Sequence, residues 1–353
     1  MWCRRYTARM ADDGARRSKR VTIRDVAKAS NTSITTVSVS LSGRPGVSAE
    51  TRAHVLEWAN KLGWSPDRRA ANLRRLDTKL VGVVYEVEHS FQTVLVDSLY
   101  VAAADRGLDL VLAGATPHHL EKQSVAELLR ERAQCLILTG TQQSSEELGL
   151  IARRVPVLSL CRLVEIPGVD VVVSDDALGF QEAIGHLVAL NHRDIVHLAG
   201  ADGDPLAATR QEAYLEAMKT HGLAAHSRVL PGGNTLGEGA AAAERLVESG
   251  DLPSAVTCFN DVLASGLVRR LGFMGVRVPE DVSVVGFDDG PESRDPTAPL
   301  TTIVQDRPRL ASAAMEILAR RMERGEPVPA GQEEKSIVPT YLAVRESTGP
   351  AIP

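Results

Sequence analysis

The 353-residue chain contains only four cysteines, Cys3, Cys135, Cys161 and Cys258, and they are scattered, with no spacing that would hold a metal ion. The last three lie inside apolar runs, where a cysteine behaves as a small buried hydrophobe, so a reducing cytoplasm is the expected compartment. No stretch of about 18 apolar residues occurs, which excludes a hydrophobic membrane-spanning helix. The N-terminus is basic but lacks the apolar core of a secretory leader. There is no Gly-x-Gly-x-x-Gly turn after the first strand, no Walker loop and no Gly-x-Ser-x-Gly elbow. The nine histidines do not cluster, and the neighbours His118 and His119 fall in an expected loop. These absences disfavour an enzyme and leave no cofactor to expect. Internal repeats, sustained heptads and low-complexity tracts are missing as well.

Charge is present, but unevenly. Residues 1–76 carry 16 Lys and Arg against 6 Asp and Glu, and the remainder carries 24 against 39. A basic segment on an acidic body suits a protein that holds phosphates at one end. Residues 1–20 read as a disordered arm, or as an upstream extension of a chain that starts at Met10. A length of 353 residues calls for two or three folding units.

The run Val21-Thr22-Ile23-Arg24-Asp25-Val26-Ala27-Lys28-Ala29-Ser30, followed by Ser33-Ile34-Thr35-Thr36-Val37-Ser38, predicts two short helices across a tight polar turn. Thr22 can accept from the Asp25 amide, with Asp25 in the first turn near the positive helix end, and Ser33 repeats the device for the second helix. Val26, Ala27 and Val37 are small enough to let the helices cross closely, as in a helix-turn-helix unit whose second helix enters the DNA major groove. After the loop Ser42-Gly43-Arg44-Pro45-Gly46, Ser48 caps a third helix to about Leu62, with Val55, Leu56, Ala59 and Leu62 at helical spacing, and Gly63 ends it. The segment Asp67–Arg75 has helical composition after Pro66 but is too short to be stable alone.

From Leu80 the pattern changes to alternating strands and helices. Leu80–Tyr85, Leu108–Leu112, Cys135–Leu138 and Pro156–Leu160 read as buried parallel strands, with helices near Thr93–Asp105, Leu120–Arg132 and Ser145–Arg153. A second series opens at Asp170–Ser174 and runs through Asp194–Leu198, Arg228–Leu230, Ala255–Phe259 and Val282–Phe287. Its helices lie near Ala177–Leu190, Ala208–His221, Gly239–Ser249 and Asp261–Leu271. The expected class is α/β: an all-α helix-turn-helix domain over 21–66, a hinge helix and linker over 67–78, and a two-lobed body over 79–353. In that body the first lobe spans about 79–175 and 306–336, and the second about 176–305 and 337–347. Ligands of doubly wound sheets bind beyond the carboxyl ends of the strands, which here means the cleft between lobes.

With these motifs in order, the chain resembles the LacI/GalR family of bacterial transcription regulators from Val21 to Ser347. The specific pieces are Val21–Ser42, Ser65-Pro66 through Leu73, Val278-Pro279-Glu280-Asp281-Val282-Ser283-Val284-Val285-Gly286-Phe287-Asp288-Asp289, Pro299–Ile303 and Val344–Ser347. The resemblance implies an N-terminal DNA-binding domain, a hinge and a periplasmic-binding-protein-like effector domain, working on double-stranded operator DNA as a homodimer or a tetramer. The C-terminus shows no appended oligomerisation helix, which favours the dimer.

By the same resemblance Ile34, Thr35 and Val39 sit at base-reading positions, with Ser38 on the same exposed face. Valine can only meet a thymine methyl, or else it packs inward. Thr22, Ser33, Thr36 and Ser48 are expected as caps or phosphate contacts. The 67–75 segment matches the family hinge, with Leu73 as a minor-groove wedge or an ordinary core residue, and Asn72 and Arg69 near groove edges or phosphates. Arg210 stands where relatives place a ligand-binding arginine, Asp288 ends a strand where they accept from ligand hydroxyls, and His89 and Phe91 occupy a ligand-contacting loop. Asn260, Asp261, Asp175 and Gln305 are further candidates at strand ends, with helix capping the alternative for Asp175 and Asp261. Relatives often carry an aromatic platform where this chain has Asn234. Apolar stacking on a sugar or a base face is weakened there, and purine-binding relatives use polar anchors where this chain has Asp204 and Leu206. A sugar, a sugar phosphate or another small polyol is therefore favoured over a purine, and the paired arginine and aspartate suit hydroxyls that both donate and accept.

Overall fold

The computed structural model describes residues 21–43, 45–64, 79–325 and 327–351. The expected hinge residues Arg69, Asn72 and Leu73 lie outside them. The chain divides into two units, residues 1–77 and 78–353.

The first unit is three helices, α1 (Ile23–Ala29), α2 (Ile34–Leu41) and α3 (Ala49–Lys61). Each begins at a hydroxyl that accepts from the amide three residues on: Thr22 from Asp25, Ser33 from Thr36, Ser48 from Thr51. At Thr22 the Asp25 carboxylate returns the bond to the cap amide, which closes a capping box. Asn31 turns the chain between α1 and α2 at φ 50°, a conformation its short polar side chain tolerates. Val26, Ala27, Val37, Val55 and Ala59 form the small core. Leu56, expected among them, is 43% exposed, because helical geometry puts it beside rather than under Val55.

The second unit holds two sheets. The first comprises β1 (Leu80–Glu86), β2 (Asp109–Ala115), β3 (Cys135–Thr139), β4 (Val157–Leu160), β5 (Val169–Ser174) and β11 (Lys335–Val338), all parallel, in the order β11-β5-β4-β3-β1-β2. The second comprises β6 (Ile195–Ala199), β7 (Arg228–Pro231), β8 (Ala255–Cys258), β9 (Ser283–Asp288), β10 (Thr301–Val304) and β12 (Tyr341–Ala343), in the order β12-β10-β9-β8-β6-β7. Here β12 runs antiparallel to β10 and closes the edge.

Helices cover both faces of each sheet. On the first they are α4 (Ser90–Ala104), α5 (Glu121–Arg130), α6 (Ser145–Ala152) and α11 (Arg307–Arg324). On the second they are α7 (Asp176–Ala189), α8 (Pro205–Thr220), α9 (Leu236–Glu248) and α10 (Asp261–Phe273). Each sheet is sandwiched between two apolar clusters, with α4 and α11 supplying one on the first sheet and α7 and α8 one on the second.

Two placements differ from the linear reading. Asp170–Ser174 does not open the second series, since β5 pairs with β4 in the first sheet. Ile337 and Val338 belong to β11 and pair with β5, so the chain returns to the second lobe after Val338. Three strand ends therefore carry the crossings, at Ser174, Val304 and Val338. They are laced together: the Asp175 amide donates to the Val338 carbonyl, Thr340 Oγ1 to the Asp175 carbonyl, and Ser174 Oγ to Gln305 Oε1. Gly179, in the first turn of α7, makes the crossing possible. A Cβ there would stand 2.4 Å from Ile303 and 2.8 Å from Thr340 Oγ1. A further contact joins the lobes, where Ser90 Oγ donates to Glu292 Oε2 at 3.0 Å.

A buried ion pair fastens α11 to the first sheet. Arg321 donates to both Asp170 oxygens at 2.8 and 2.9 Å and to the Gln332 carbonyl, and Asp170 also accepts from the Glu334 amide. Removing one partner leaves a charge stranded in the interior. Asp170→Ala is expected to lower stability by about 3–5 kcal/mol, read as the shift in a denaturant-unfolding midpoint.

Candidate operator-reading face and effector cleft

The α2 helix presents an uncharged surface. Ile34 is 50% exposed and Thr35 and Ser38 are exposed on the same side, whereas Val37 is buried. Thr36 Oγ1 bonds to Ser33 Oγ at 2.8 Å, so both hydroxyls belong to the cap. Val39 is half-buried, and a Cβ on Gly46 would lie 3.8 Å from its Cγ1. Arg24 and Lys28 are exposed on α1.

The body carries a buried polar ring at the crossings. Asp288, at the end of β9, accepts from Gln305 Nε2 at 2.6 Å and from Arg210 Nη2 at 3.3 Å. Arg210, from α8, also donates to the Phe259 carbonyl at 2.5 Å and faces Asp176 Oδ2 across 3.5 Å. Ser174 Oγ lies 2.8 Å from both Asp176 Oδ1 and Gln305 Oε1, which completes the circuit. The guanidinium lies 3.7 Å from the Phe287 ring centroid and 4.7 Å from that of Phe259, a stacking arginine favours. Burial raises the carboxyl pKa values of Asp176 and Asp288, against the opposing pull of Arg210.

Backbone strain accompanies the ring. Asp288 and Asp289 sit at φ 114° and 55°, and non-glycine residues in such regions cost on the order of 1–3 kcal/mol each. Asp288 is held by Gln305 and Arg210. Asp289 is held by Arg294, by Ser293 Oγ and by Arg345 Nη2 at 2.5 Å.

The other expected effector residues take three kinds of place. His89 lines a cleft of about 280 Å³ between Glu86, Gln92, Gly140 and Gln142 of the first lobe and Ala201–Asp204, Leu206 and Asn234 of the second. Its Nδ1 is buried without a hydrogen-bond partner among the described residues. Phe91, in contrast, is not a loop residue. It stands in the first turn of α4, 2% exposed, in the first-lobe core.

Asp175 caps α7 through the Leu178 amide, and Asn260 caps α10 through the Leu263 amide. Asp261 is a brace: its oxygens accept from Thr302 Oγ1 at 2.6 Å and the Gly290 amide at 2.8 Å. Burial and the neighbouring Asp288 push its pKa well up. Sequence reasoning chose Asp175 and missed Asp176 and Ser174, although the Ser-Asp-Asp run at a strand end was visible. It also missed Glu86 and Gln92, which meet Asp204 only because the lobes face each other.

Residues 22–67 match the bacterial regulatory proteins of the lacI family, and residues 184–348 match a periplasmic binding protein-like domain. The HTH-type transcriptional repressor PurR of Haemophilus influenzae (strain PittEE) is 31% identical over 309 residues, 85% of this chain and 91% of that protein. The chain belongs to the LacI family of bacterial regulatory proteins. A LacI transcriptional regulator of known structure from a Rhodococcus species is 40% identical, with a TM-score of 0.73 over 77% of this chain and 99% of that one. The lac repressor dimer bound to operator and the anti-inducer ONPF is 26% identical, with a TM-score of 0.78 over 94% and 100%. This LacI-family chain is a DNA-binding transcriptional regulator with an effector-binding domain. Among its described residues no helix is long and apolar enough to cross a membrane.

Beneath the ring lies one unusual core residue. His197 of β6 is fully buried, stacked 5.2 Å from Tyr214, with Nδ1 on Thr257 Oγ1 and no partner for Nε2. Burial, aided by the Arg210 charge, pushes its pKa down to about 3. A depressed histidine stabilises the fold fully above its unfolded value of about 6.5 and loses that contribution as pH falls toward 3. Unfolding midpoints measured from pH 7.5 to 5 should therefore fall more steeply for the parent than for His197→Phe.

Proposed function

We propose that this regulator is a cytoplasmic repressor, without catalytic activity or cofactor, that binds operator DNA as a homodimer and is released or retained by a small molecule between its lobes. The dimer on an operator is what the lac repressor structure contains, and the similarity carries it here. Ile34, Thr35, Ser38 and the half-buried Val39 read base edges, while Thr22, Ser33 and Thr36 fix the helix starts and serve phosphates. Residues 67–78 act as the hinge, with Arg69, Asn72 and Leu73 on the minor groove.

The polar ring is the observation that supports effector control most directly. One circuit, Ser174–Asp176–Arg210–Asp288–Gln305, joins two of the crossings to the α8 arginine. A ligand that draws Arg210 or Asp288 into new bonds must disturb the hydrogen bonds that set the crossings, and so the angle between lobes. A small change there can order or melt a hinge. The paired guanidinium and carboxylate, with Gln92, Gln142 and Asn234 at the cleft, suit the alternating donors and acceptors of a sugar or sugar derivative.

Selection of bound duplexes from a random pool tests the DNA reading, with two-fold related half-sites as the expected outcome and no enrichment as the refutation. Operator affinity should fall steeply with salt, as several phosphates are neutralised; titration in 50–200 mM salt checks this. Asp288→Ala should keep operator binding and lose the effector response, measured as operator affinity with and without ligand.

A further inference from the structure

The lining of the cleft is acidic. Glu86, Glu88 and Glu121 of the first lobe and Asp202 and Asp204 of the second surround two adjoining cavities of about 320 and 280 Å³, which share Glu86, Gly140 and Gln142. Among the described residues His89 is the one titratable nitrogen base in that lining, and no Lys or Arg contributes to it. The nearby Arg210 lies outside that lining, and its charge is matched by Asp288 and Asp176.

The acids differ in how they are used. Glu121 accepts from Thr141 Oγ1, the Gln142 amide and Gln143 Nε2, and Asp204 caps α8 through the Leu206 amide. The carboxylate of Glu86, although half-buried, has no hydrogen-bond or ion-pair partner among the described residues. Burial, with the neighbouring acids Asp204, Glu121 and Glu88, pushes its pKa up against the opposing pull of His89. A second group in the same cavity is also unsatisfied: Thr139 is 5% exposed and its Oγ1 has no partner. Buried polar groups without partners are uncommon in folded proteins and mark where a ligand group belongs.

Resting on the cleft as the effector site, we propose that the effector is an organic cation, a small polar molecule whose protonated amine is received by Glu86 and the surrounding carboxylates while a hydroxyl or carbonyl meets Thr139. A metal ion does not fit, because no three His, Cys, Asp or Glu among the described residues are close enough to hold one. Phosphorylated and carboxylated sugars are excluded by the same field, since like charges brought together in a cleft repel strongly. The amine satisfies the unpaired acid by a charge-assisted bond and relieves the repulsion around it.

The test uses the full chain and thermal-shift and calorimetric titration with glucosamine, galactosamine, mannosamine and putrescine, the three parent hexoses and their 6-phosphates. Amine members should bind, weaken with added salt, and lose at least tenfold in Glu86→Gln. That isosteric variant should itself melt no lower than the parent, since the carboxylate it replaces has no partner. Asp204→Asn, which keeps the capping oxygen, provides a second variant expected to weaken amine binding. A neutral or phosphorylated hexose that outbinds its amine analogue, or no binding by any of the ten probes, overturns the proposal. If that hexose is lost in Asp288→Ala, the cleft reading survives. Amine binding indifferent to both Glu86→Gln and Asp204→Asn overturns the proposal and points away from the cleft.

Discussion

The position of one guanidinium constrains the body of this protein more than any other interaction. Arg210 is buried, and a buried charge needs both countercharge and hydrogen bonds to be tolerated. It finds them in Asp288, Asp176 and the Phe259 carbonyl. Each requirement then propagates. Asp288 must hold a left-handed backbone to aim its carboxylate, Gln305 must approach from β10 to share it, and Ser174 must join Gln305 to Asp176. Because Ser174 and Gln305 stand where the chain crosses between lobes, the arginine's neutralisation and the lobe geometry are parts of one circuit of hydrogen bonds closed by an ion pair.

The same logic separates residues that hold the fold from residues left for a ligand. Asp261, Asp289 and Asp170 are buried acids too, but each is enclosed by its own donors: Thr302 and Gly290, Arg294 and Arg345, Arg321 and Glu334. Thr302, Gly290, Arg345, Arg321 and Glu334 come from elements distant in sequence, so they fasten the layers. Glu86 and Thr139 differ in that no described residue bonds the carboxylate of the one or the hydroxyl of the other and both line one cavity. A site can thus be distinguished from a structural network by asking which polar groups remain unpaired after the fold is complete.

Local signals in the sequence were legible and long-range ones were not. The caps at Thr22, Ser33 and Ser48 depend on three-residue neighbours, and the structure forms all three. The strands β1 to β9 were readable in the sequence, but β10, β11 and β12, which follow or flank the crossings, were not, and helices beginning at Ser90, Pro205 and Leu236 were expected about three residues late. At Pro205 and Leu236 the signals were the Asp204 cap before a proline and the Thr235 capping box. The 18-residue helix Arg307–Arg324 went unrecognised, despite its Asp306 cap and the terminating Gly325. Of the residues singled out in the sequence, Arg210 and Gln305 both bond Asp288. Asp176 was missed for its neighbour Asp175, because only the turn from β5 into α7 decides which of two adjacent acids faces inward. Phe91 was misplaced because α4 starts one turn earlier than its apolar period announces.

A DNA-reading head capped by local hydroxyls therefore precedes a body whose lobe angle is written in a few buried hydrogen bonds. The direct measurement is operator affinity as a function of effector concentration for the full chain and for the Ser174→Ala, Gln305→Ala double variant. The account predicts that both proteins bind operator and effector, but that only the parent shows an operator affinity that shifts with effector. An undiminished shift in the variant would contradict the claim that the crossing circuit carries the signal.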